Sequence, residues 1–242
     1  MRTNSVQNSY RLSGSDLKII ACLSMLLDHT AYVFEFSGLA DLICRQMIGR
    51  LAFPIFAFLL VEGFQHTRNF RKYFSGVFLL AVLSELPCDL TISENAGLLH
   101  AWQNQNTLFT LSLGLLMLWA IKKAEELLQE RSSTHSMFNI YQALVMLPFA
   151  AAAYFLHLDY GFFGPLCIGA MYLFRFSPGM ASFWGCTALN LNMLSMPGAF
   201  FSMIPISLYD GTRGKQNKYA FYLFYPLHLL LLYGLKQILM PG

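Results

Sequence analysis

The sequence predicts an all-α protein, a polytopic integral membrane helical bundle with about eight or nine transmembrane segments. Of the 242 residues, 56% are hydrophobic and only 12% are charged, and the mean hydropathy is +0.48. A soluble domain of this length needs more polar surface than this composition supplies. In addition, the apolar residues recur in runs, and the basic residues gather in alternate connections between those runs.

Nine apolar segments are candidate spans. They cover about residues 17–36, 42–64, 73–86, 106–121, 138–156, 161–174, 181–196, 198–209 and 219–239. Several are shorter than the roughly 20 residues that a straight span needs, and the two beside Pro197 form either two thin spans or one re-entrant hairpin. No linker, low-complexity run or internal repeat divides the chain, so the sequence predicts a single domain over residues 1–242.

The charges of the connections predict the orientation. Lysine and arginine occur in the amino-terminal segment and in the connections around Arg68, Lys122 and Arg213, whereas the alternate connections around Asp41, Asp89 and Asp159 contain neither. Because basic connections stay on the cytoplasmic side, we expect a cytoplasmic amino terminus and a carboxyl terminus outside. The first sixteen residues lack the pattern of a signal peptide, so the first span itself is expected to direct insertion.

The first span carries three ionisable residues, Lys18, Asp28 and His29. His29 lies roughly 16 Å beyond Lys18 along a helix that rises 1.5 Å per residue. At about 100° per residue, these two side chains are only about 20° apart on the helix face, whereas Asp28 points about 80° away from Lys18. Ionisable groups inside spans usually mark a pathway or a site, although Lys18 alone is also typical of a snorkelling flank and His29 of a buried structural histidine.

Other ionisable residues fall at membrane depth in later spans. The predicted topology places His29 and His228 near the midplane, Arg50 and Glu85 toward the outer half, and Lys18, Glu62 and Arg175 near the cytoplasmic edge. Together they would line a cavity that is open to both faces of the membrane. A structural reading also stands, because Arg50 and Glu85 would stabilise the bundle as a buried pair.

Pro54 falls within a predicted span and Pro87 directly follows the predicted span 73–86. A proline inside a span kinks the helix and frees backbone carbonyls that can line a cavity. The five cysteines show no CxxC spacing and the six histidines show no metal-ligand spacing. The sequence therefore predicts no metal site.

Several ordered motifs in this sequence resemble those of one family. They are LKIIA at 17–21, MLLDH at 25–29, GRLAFPIFAF at 49–58, NTLF at 106–109, DYG at 159–161 and FYPLH at 224–228. On these motifs, which span nearly the whole chain, the sequence resembles the TraX family. TraX proteins are implicated in acetylating the amino terminus of conjugative F-type pilin. The family looks akin to integral-membrane acyltransferases with a basic residue ahead of a histidine in an early span, a spacing that Lys18 and His29 match.

The resemblance implies an enzyme of the bacterial inner membrane that transfers an acetyl group from cytoplasmic acetyl-CoA, or another acyl-CoA, to an amine or hydroxyl of an exported acceptor. His29 would be the base, with His228 as the second choice, and either Arg50 or a backbone amide would stabilise the oxyanion. Asp28 is a further candidate catalytic residue. Lys18 and Arg175 would hold the phosphates of the donor. The acceptor would contact Glu85, Asn106, Asp159 and Tyr160. Direct transfer and transfer through an acyl-histidine both remain open.

Two readings from other classes also fit the sequence. In a transporter or permease, the buried charges would form a relay without covalent chemistry. In a non-catalytic assembly factor of a pilus or secretion machine, they would only hold the helices together. Nucleic acid is not an expected partner, since the net charge is only +3 and the basic residues are confined to short connections.

Overall fold

The computed structural model describes residues 11–92, 105–130, 135–191, 196–215 and 218–240. Within these ranges the secondary structure is helical, and the remaining backbone pairs are two isolated bridges, Leu12 with Tyr209 and Gln105 with Leu158. The predicted all-α class is therefore confirmed for the described part of the chain.

The helices follow the predicted apolar segments, with different boundaries. The α-helices are α1 (Gly14–Val33), α2 (Gly38–Asp41), α3 (Ala52–His66), α4 (Phe70–Ile92), α5 (Thr107–Glu130), α6 (His135–Phe155), α7 (Phe163–Leu173), α8 (Pro178–Leu189), α9 (Met203–Ser207) and α10 (Lys218–Leu239). A π-helix (Leu42–Ile48) and a 3₁₀ turn (Gly49–Leu51) lie between α2 and α3, and a second 3₁₀ helix (Pro197–Ser202) precedes α9.

One predicted boundary is wrong. We expected a span to end before Pro87, but α4 continues through this proline to Ile92. The Thr91 hydroxyl donates a 2.7 Å hydrogen bond to the Pro87 carbonyl and a 3.1 Å bond to the Leu229 carbonyl of α10. These contacts stabilise the helix beyond the proline and tie α4 to α10.

Three of the described segments are long and apolar enough to cross a membrane: Gly38–His66, Phe70–Thr91 and Thr107–Leu128. Large apolar side chains such as Leu79, Leu83 and Leu231 are exposed on the outside of the bundle, as expected for a surface that faces lipid. The 12-residue α8 is too short to cross a hydrocarbon core of about 30 Å at 1.5 Å per residue. The count of eight or nine spans remains a prediction.

Helix α1 begins with a capping box. The Asp16 carboxylate accepts hydrogen bonds from the Ser13 amide at 2.8 Å and the Ser13 hydroxyl at 2.7 Å, and the Ser13 hydroxyl oxygen accepts from the Asp16 amide at 3.4 Å. Such a box satisfies amides that have no partner within the helix. The sequence thereby fixes the start of the helix that carries Lys18 and His29.

The segment between α2 and α3 departs from regular α-helix. Pro54 has no amide hydrogen to donate to the Arg50 carbonyl one turn earlier. The Ser24 hydroxyl of α1 donates to the Ile48 carbonyl at 2.6 Å and the Gly49 carbonyl at 3.2 Å. On the other side, a Cβ atom on Gly198 would lie 2.1 Å from the Gln46 carbonyl oxygen. The segment is therefore clamped between α1 and the 3₁₀ helix at 197–202.

Two pairs of distant connections meet, and one of these pairs meets at the start of α1. Near its start, the Leu12 amide donates to the Leu208 carbonyl at 2.8 Å, and the Gly14 amide donates to the Thr212 carbonyl at 2.8 Å. The connections that precede α5 and α7 meet elsewhere, where the Gln105 amide donates to the His157 carbonyl at 3.0 Å. The first contacts join two segments that carry basic residues, and the second joins two connections that the sequence placed on the opposite side. The predicted orientation itself stays a prediction.

Candidate functional site

A cavity of about 800 Å³ lies between α1, α3, α4, α5 and α10. One end is lined by Lys18, Glu62 and Arg213, and farther along α1 the wall includes His29 and Asp28. The cavity thus follows α1 for most of its length. Its size is within the usual range for small-molecule sites, which is about 300 to 1,000 Å³.

His29 and His228 form a hydrogen-bonded pair at the wall of this cavity. His29 Nδ1 lies 2.8 Å from His228 Nε2, and the two rings are nearly parallel, with an interplanar angle of 5°. His228 Nδ1 lies 2.8 Å from the Phe224 carbonyl oxygen. His29 lines the cavity, and His228 is buried behind it with 6% of its surface exposed.

The hydrogen bonds assign the tautomers of this pair. A carbonyl oxygen can only accept, so His228 Nδ1 must carry the hydrogen that it shares with Phe224. In the neutral ring, His228 Nε2 is then an acceptor, and His29 Nδ1 must donate to it. The lone pair of His29 consequently resides on Nε2. This is the arrangement of a base whose ring is oriented by a second group.

Four of the predicted residues line the cavity beyond His29: Asp28, Arg50, Asp159 and Tyr160. The Arg50 guanidinium lies near the Tyr160 hydroxyl and near Asp28 and Asp159, close enough for electrostatic interaction with both carboxylates. Among the described residues, no salt bridge within 4.0 Å joins Arg50 to either carboxylate. Asp159 also accepts hydrogen bonds from the Thr107 hydroxyl and from the Tyr160 amide, the latter at 3.0 Å. Arg50 and two carboxylates therefore share this part of the wall.

Tight packing fixes two members of this group. A Cβ atom on Gly49 would lie 2.5 Å from Asp28 Oδ1, so only glycine leaves space for the carboxylate there. The Tyr160 ring is stacked on Phe53 with centroids 3.9 Å apart, and Tyr160 has a left-handed backbone with φ of 63°. A strained conformation of this kind in a non-glycine residue often accompanies a functional site.

Glu85 and Asn106 have different contacts from those that the sequence predicted. The Asn106 side-chain amide donates to Glu85 and, at 3.0 Å, to the Ala81 carbonyl, and the Asn106 carbonyl oxygen accepts from the Leu108 amide at 3.0 Å. Asn106 therefore joins α4 to the start of α5. The expected pairing of Arg50 with Glu85 is wrong, and neither Glu85 nor Asn106 lines the cavity.

Arg175 also lies apart from the cavity. Its Nη1 donates to the Tyr172 carbonyl at 2.8 Å, and its guanidinium lies 4.1 Å from the Tyr172 ring centroid and 4.7 Å from that of Phe176. The side chain satisfies a carbonyl at the carboxyl end of α7, as basic residues commonly do. The prediction that Arg175 shares a donor site with Lys18 is therefore not supported by its position.

Two arginines that the sequence did not single out as site residues line the cavity. Arg45 pairs with Asp41 at 3.1 Å, and its guanidinium lies 5.1 Å from the Tyr32 ring centroid. Arg213 lies beside Lys18 at the opposite end. The sequence counted Arg213 only as a loop charge, and no periodicity pointed to Arg45. Within the described ranges, no cluster of three or more His, Cys, Asp or Glu side chains could hold a metal ion.

The fold and the cavity define a helical protein with membrane-type helices around a polar site. The family model described as TraX protein matches residues 13–236. The chain is also 31% identical over 252 residues to the "Probable fimbrial assembly protein FimC, serogroup H1" of Dichelobacter nodosus, a match that covers 94% of this chain and 97% of the relative. The chain therefore belongs to the TraX family, as the motifs predicted. No solved structure matches it.

Proposed function

We propose that this protein is an acyltransferase of the bacterial inner membrane, with its amino terminus in the cytoplasm. It would transfer an acetyl group from cytoplasmic acetyl-CoA, or another acyl-CoA, to an amine or hydroxyl of an exported acceptor. The observation that carries the proposal is the His29–His228 pair, which leaves the lone pair of His29 on Nε2, together with the cavity that both His29 and Lys18 line.

In the proposed reaction on an amine, the neutral amine nitrogen attacks the thioester carbonyl carbon. A C–N bond forms and the C–S bond breaks. His29 Nε2 accepts the proton that the nitrogen loses and then donates it to the departing thiolate. His228 holds the His29 ring through Nδ1 and stabilises the imidazolium that forms.

The residues beyond His29 supply charge of both signs. The Arg50 guanidinium is suited to stabilise the oxyanion that develops on the carbonyl oxygen. Asp28 and Asp159, which lie near Arg50, are suited to attract an ammonium group of the acceptor. The name of the Dichelobacter nodosus relative points to a fimbrial context, so a fimbrial subunit is the acceptor that we propose first.

The same name supports a second candidate, a non-catalytic assembly factor, in which the cavity residues would only stabilise the bundle. The two candidates differ in one measurable property. An acetyltransferase releases free CoA and produces an acetylated acceptor, whereas an assembly factor does neither.

The test is turnover by purified protein in detergent. The protein is given acetyl-CoA and a peptide with a free amino terminus, free thiol is followed over time, and the acetylated peptide is identified by mass spectrometry. Loss of a general base lowers rates by about 10²- to 10⁴-fold, so we expect this loss in His29→Ala. The matched control is His157→Asn, because His157 is exposed, lies outside the cavity and has a left-handed backbone that asparagine tolerates.

The results separate the candidates. Acetylated peptide from the wild type and from His157→Asn, with the expected loss in His29→Ala, supports the enzyme and the role of His29. Wild-type turnover in His29→Ala would make His29 structural. No turnover by the wild type with any amine or hydroxyl acceptor would favour the assembly factor.

A further inference from the structure

Arg213 lies on a connection that is firmly attached to the start of α1. The Ser15 hydroxyl donates to the Arg213 carbonyl at 3.2 Å and to the Lys215 carbonyl at 2.7 Å. Gly214, with φ of 70°, passes so close that a Cβ atom there would lie 2.3 Å from the Ser13 hydroxyl oxygen. The backbone of Arg213 therefore has a defined position beside the first turn of α1.

This position brings Arg213 next to Lys18. Both residues line the same end of the cavity, and their side chains are close enough to repel each other electrostatically. The Lys18 ammonium also lies 5.6 Å from the Phe221 ring centroid, and Phe221 lines the cavity. Two cations held at one cavity end, with an aromatic ring beside them, make a surface suited to an anion with an attached planar group.

Three carboxylates lie in the same region. Glu62, which lines this end of the cavity, accepts a hydrogen bond from the Tyr209 hydroxyl at 3.4 Å. The other two are engaged in local turns. Asp16 accepts two hydrogen bonds from Ser13 in the capping box. Asp210 accepts from the Thr212 hydroxyl and amide, both at 2.7 Å, and these bonds lower the pKa of Asp210 below its usual value. Asp16 and Asp210 do not line the cavity, so Glu62 is the member of these three that does.

We propose that Arg213 and Lys18 together bind a phosphate group at this end of the cavity, and that Arg213 makes the site selective for a donor that carries a nucleotide. The inference rests on the proposed function, because the phosphate would belong to the nucleotide part of acyl-CoA. The chemistry alone is shared by a lipid headgroup phosphate, so the experiment must distinguish the two sources.

The probe is adenosine 3′,5′-bisphosphate, the nucleotide part of CoA without its thiol arm. Its binding to purified protein in lipid-free detergent is measured by calorimetry for the wild type, Arg213→Ala, Arg213→Lys and Lys215→Ala. Lys215→Ala is the matched control, because this substitution removes the same charge from the same connection and Lys215 does not line the cavity.

We expect Arg213→Ala to weaken binding of the probe about tenfold or more, which is the effect of one charge-assisted hydrogen bond. Arg213→Lys should retain part of the affinity, and Lys215→Ala should remain within about twofold of the wild type, as an exposed charge outside the site should. Thermal unfolding of all variants checks that they are folded. Equal losses in Arg213→Ala and Lys215→Ala would overturn the proposal, since a general loop charge would then explain the binding.

A second arm adds vesicles of phosphatidylglycerol as a competitor. Displacement of the probe by these vesicles in the wild type but not in Arg213→Ala would assign the site to a lipid phosphate and overturn the nucleotide assignment. Probe binding that depends on Arg213 but is unaffected by vesicles supports it. If probe binding depends on Arg213 but the protein transfers no acetyl group, the phosphate site stands and the proposed function is refuted. If the protein transfers acetyl groups and Arg213→Ala leaves the KM for acetyl-CoA unchanged, only the phosphate site is refuted.

Discussion

Replacement of His228 by leucine tests the proposed histidine pair most directly. The leucine side chain fills part of the same volume but offers no acceptor to His29 Nδ1, which now donates to His228 Nε2 at 2.8 Å. The buried N–H of His29 is then left without its partner, and nothing selects the tautomer that keeps the lone pair on Nε2. We expect the His228→Leu variant to retain His29 as the base but to lose the contact that orients the His29 ring.

The magnitude follows from the cost of that lost partner. A buried donor without an acceptor costs about 1 to 3 kcal/mol. Each 1.36 kcal/mol in the activation barrier is tenfold in rate, so kcat should fall by roughly 5- to 160-fold. This range lies mostly below the loss of about 10²- to 10⁴-fold that we expect for His29→Ala, in which the base itself is absent.

The assay is steady-state acetyl transfer with acetyl-CoA and acceptor peptide each varied in turn. The expected change is in kcat, with the KM for acetyl-CoA nearly unchanged, because Lys18 and Arg213 lie at the other part of the cavity. His228→Gln supplies a side-chain carbonyl that can accept from His29 Nδ1, and it should recover part of the rate. Wild-type kcat in His228→Leu would refute the orienting role, and a loss as large as that of His29→Ala in both His228 variants would make His228 itself the base.

Two further predictions concern the packing around the site. Gly49→Ala would place a methyl group 2.5 Å from Asp28 Oδ1, so we expect the free energy of unfolding to fall by about 1 to 3 kcal/mol and kcat/KM for the acceptor to fall as well. Gly179→Ala is the control, because no neighbouring atom lies within 4 Å of the added Cβ, and it should change neither quantity. Asn106→Ala should lower the free energy of unfolding by about 1 to 3 kcal/mol, because Glu85 loses the side-chain amide that donates to it. Adding Glu85→Ala should recover part of that loss, and a double variant no more stable than Asn106→Ala would contradict this reading.

The positions of the helices could be read from the sequence because each depends on its own residues. The run of apolar residues beginning at Leu17 gives α1, and Ser13 with Asp16 gives its start. The alignment of Lys18 with His29 also follows from helix geometry alone, and both residues line the cavity. Local patterns were sufficient wherever one helix carried the whole observation.

Contacts between distant helices were less accessible. The sequence placed His228 at the depth of His29 but had no means to show that the two rings bond to each other. The sequence suggested a pair between Arg50 and Glu85 from their opposite charges, whereas in the fold Glu85 accepts a hydrogen bond from the Asn106 side chain. Charge complementarity constrains which groups can pair, but the partner is chosen by how the helices pack.

Arg45 was missed for a more specific reason. In a regular α-helix, residues five apart, such as Arg45 and Arg50, point about 140° away from each other. The π-helix Leu42–Ile48 bonds residues five apart instead, which shifts the faces that these side chains occupy. Ser24 and Gly198 contact this segment from other parts of the chain, and the local sequence does not reveal such contacts.

The distance between the two histidines along the chain has a consequence for how the protein is made. His29 and His228 are 199 residues apart, and the Ser15 bond to Lys215 spans 200 residues. At about 5 to 20 residues per second of synthesis, His29 leaves the ribosome roughly 10 to 40 s before its partner exists. During that interval α1 carries an imidazole, a carboxylate and an ammonium group without the helix that completes their surroundings. The polar face of α1 therefore reaches its final surroundings only after α10 has been made.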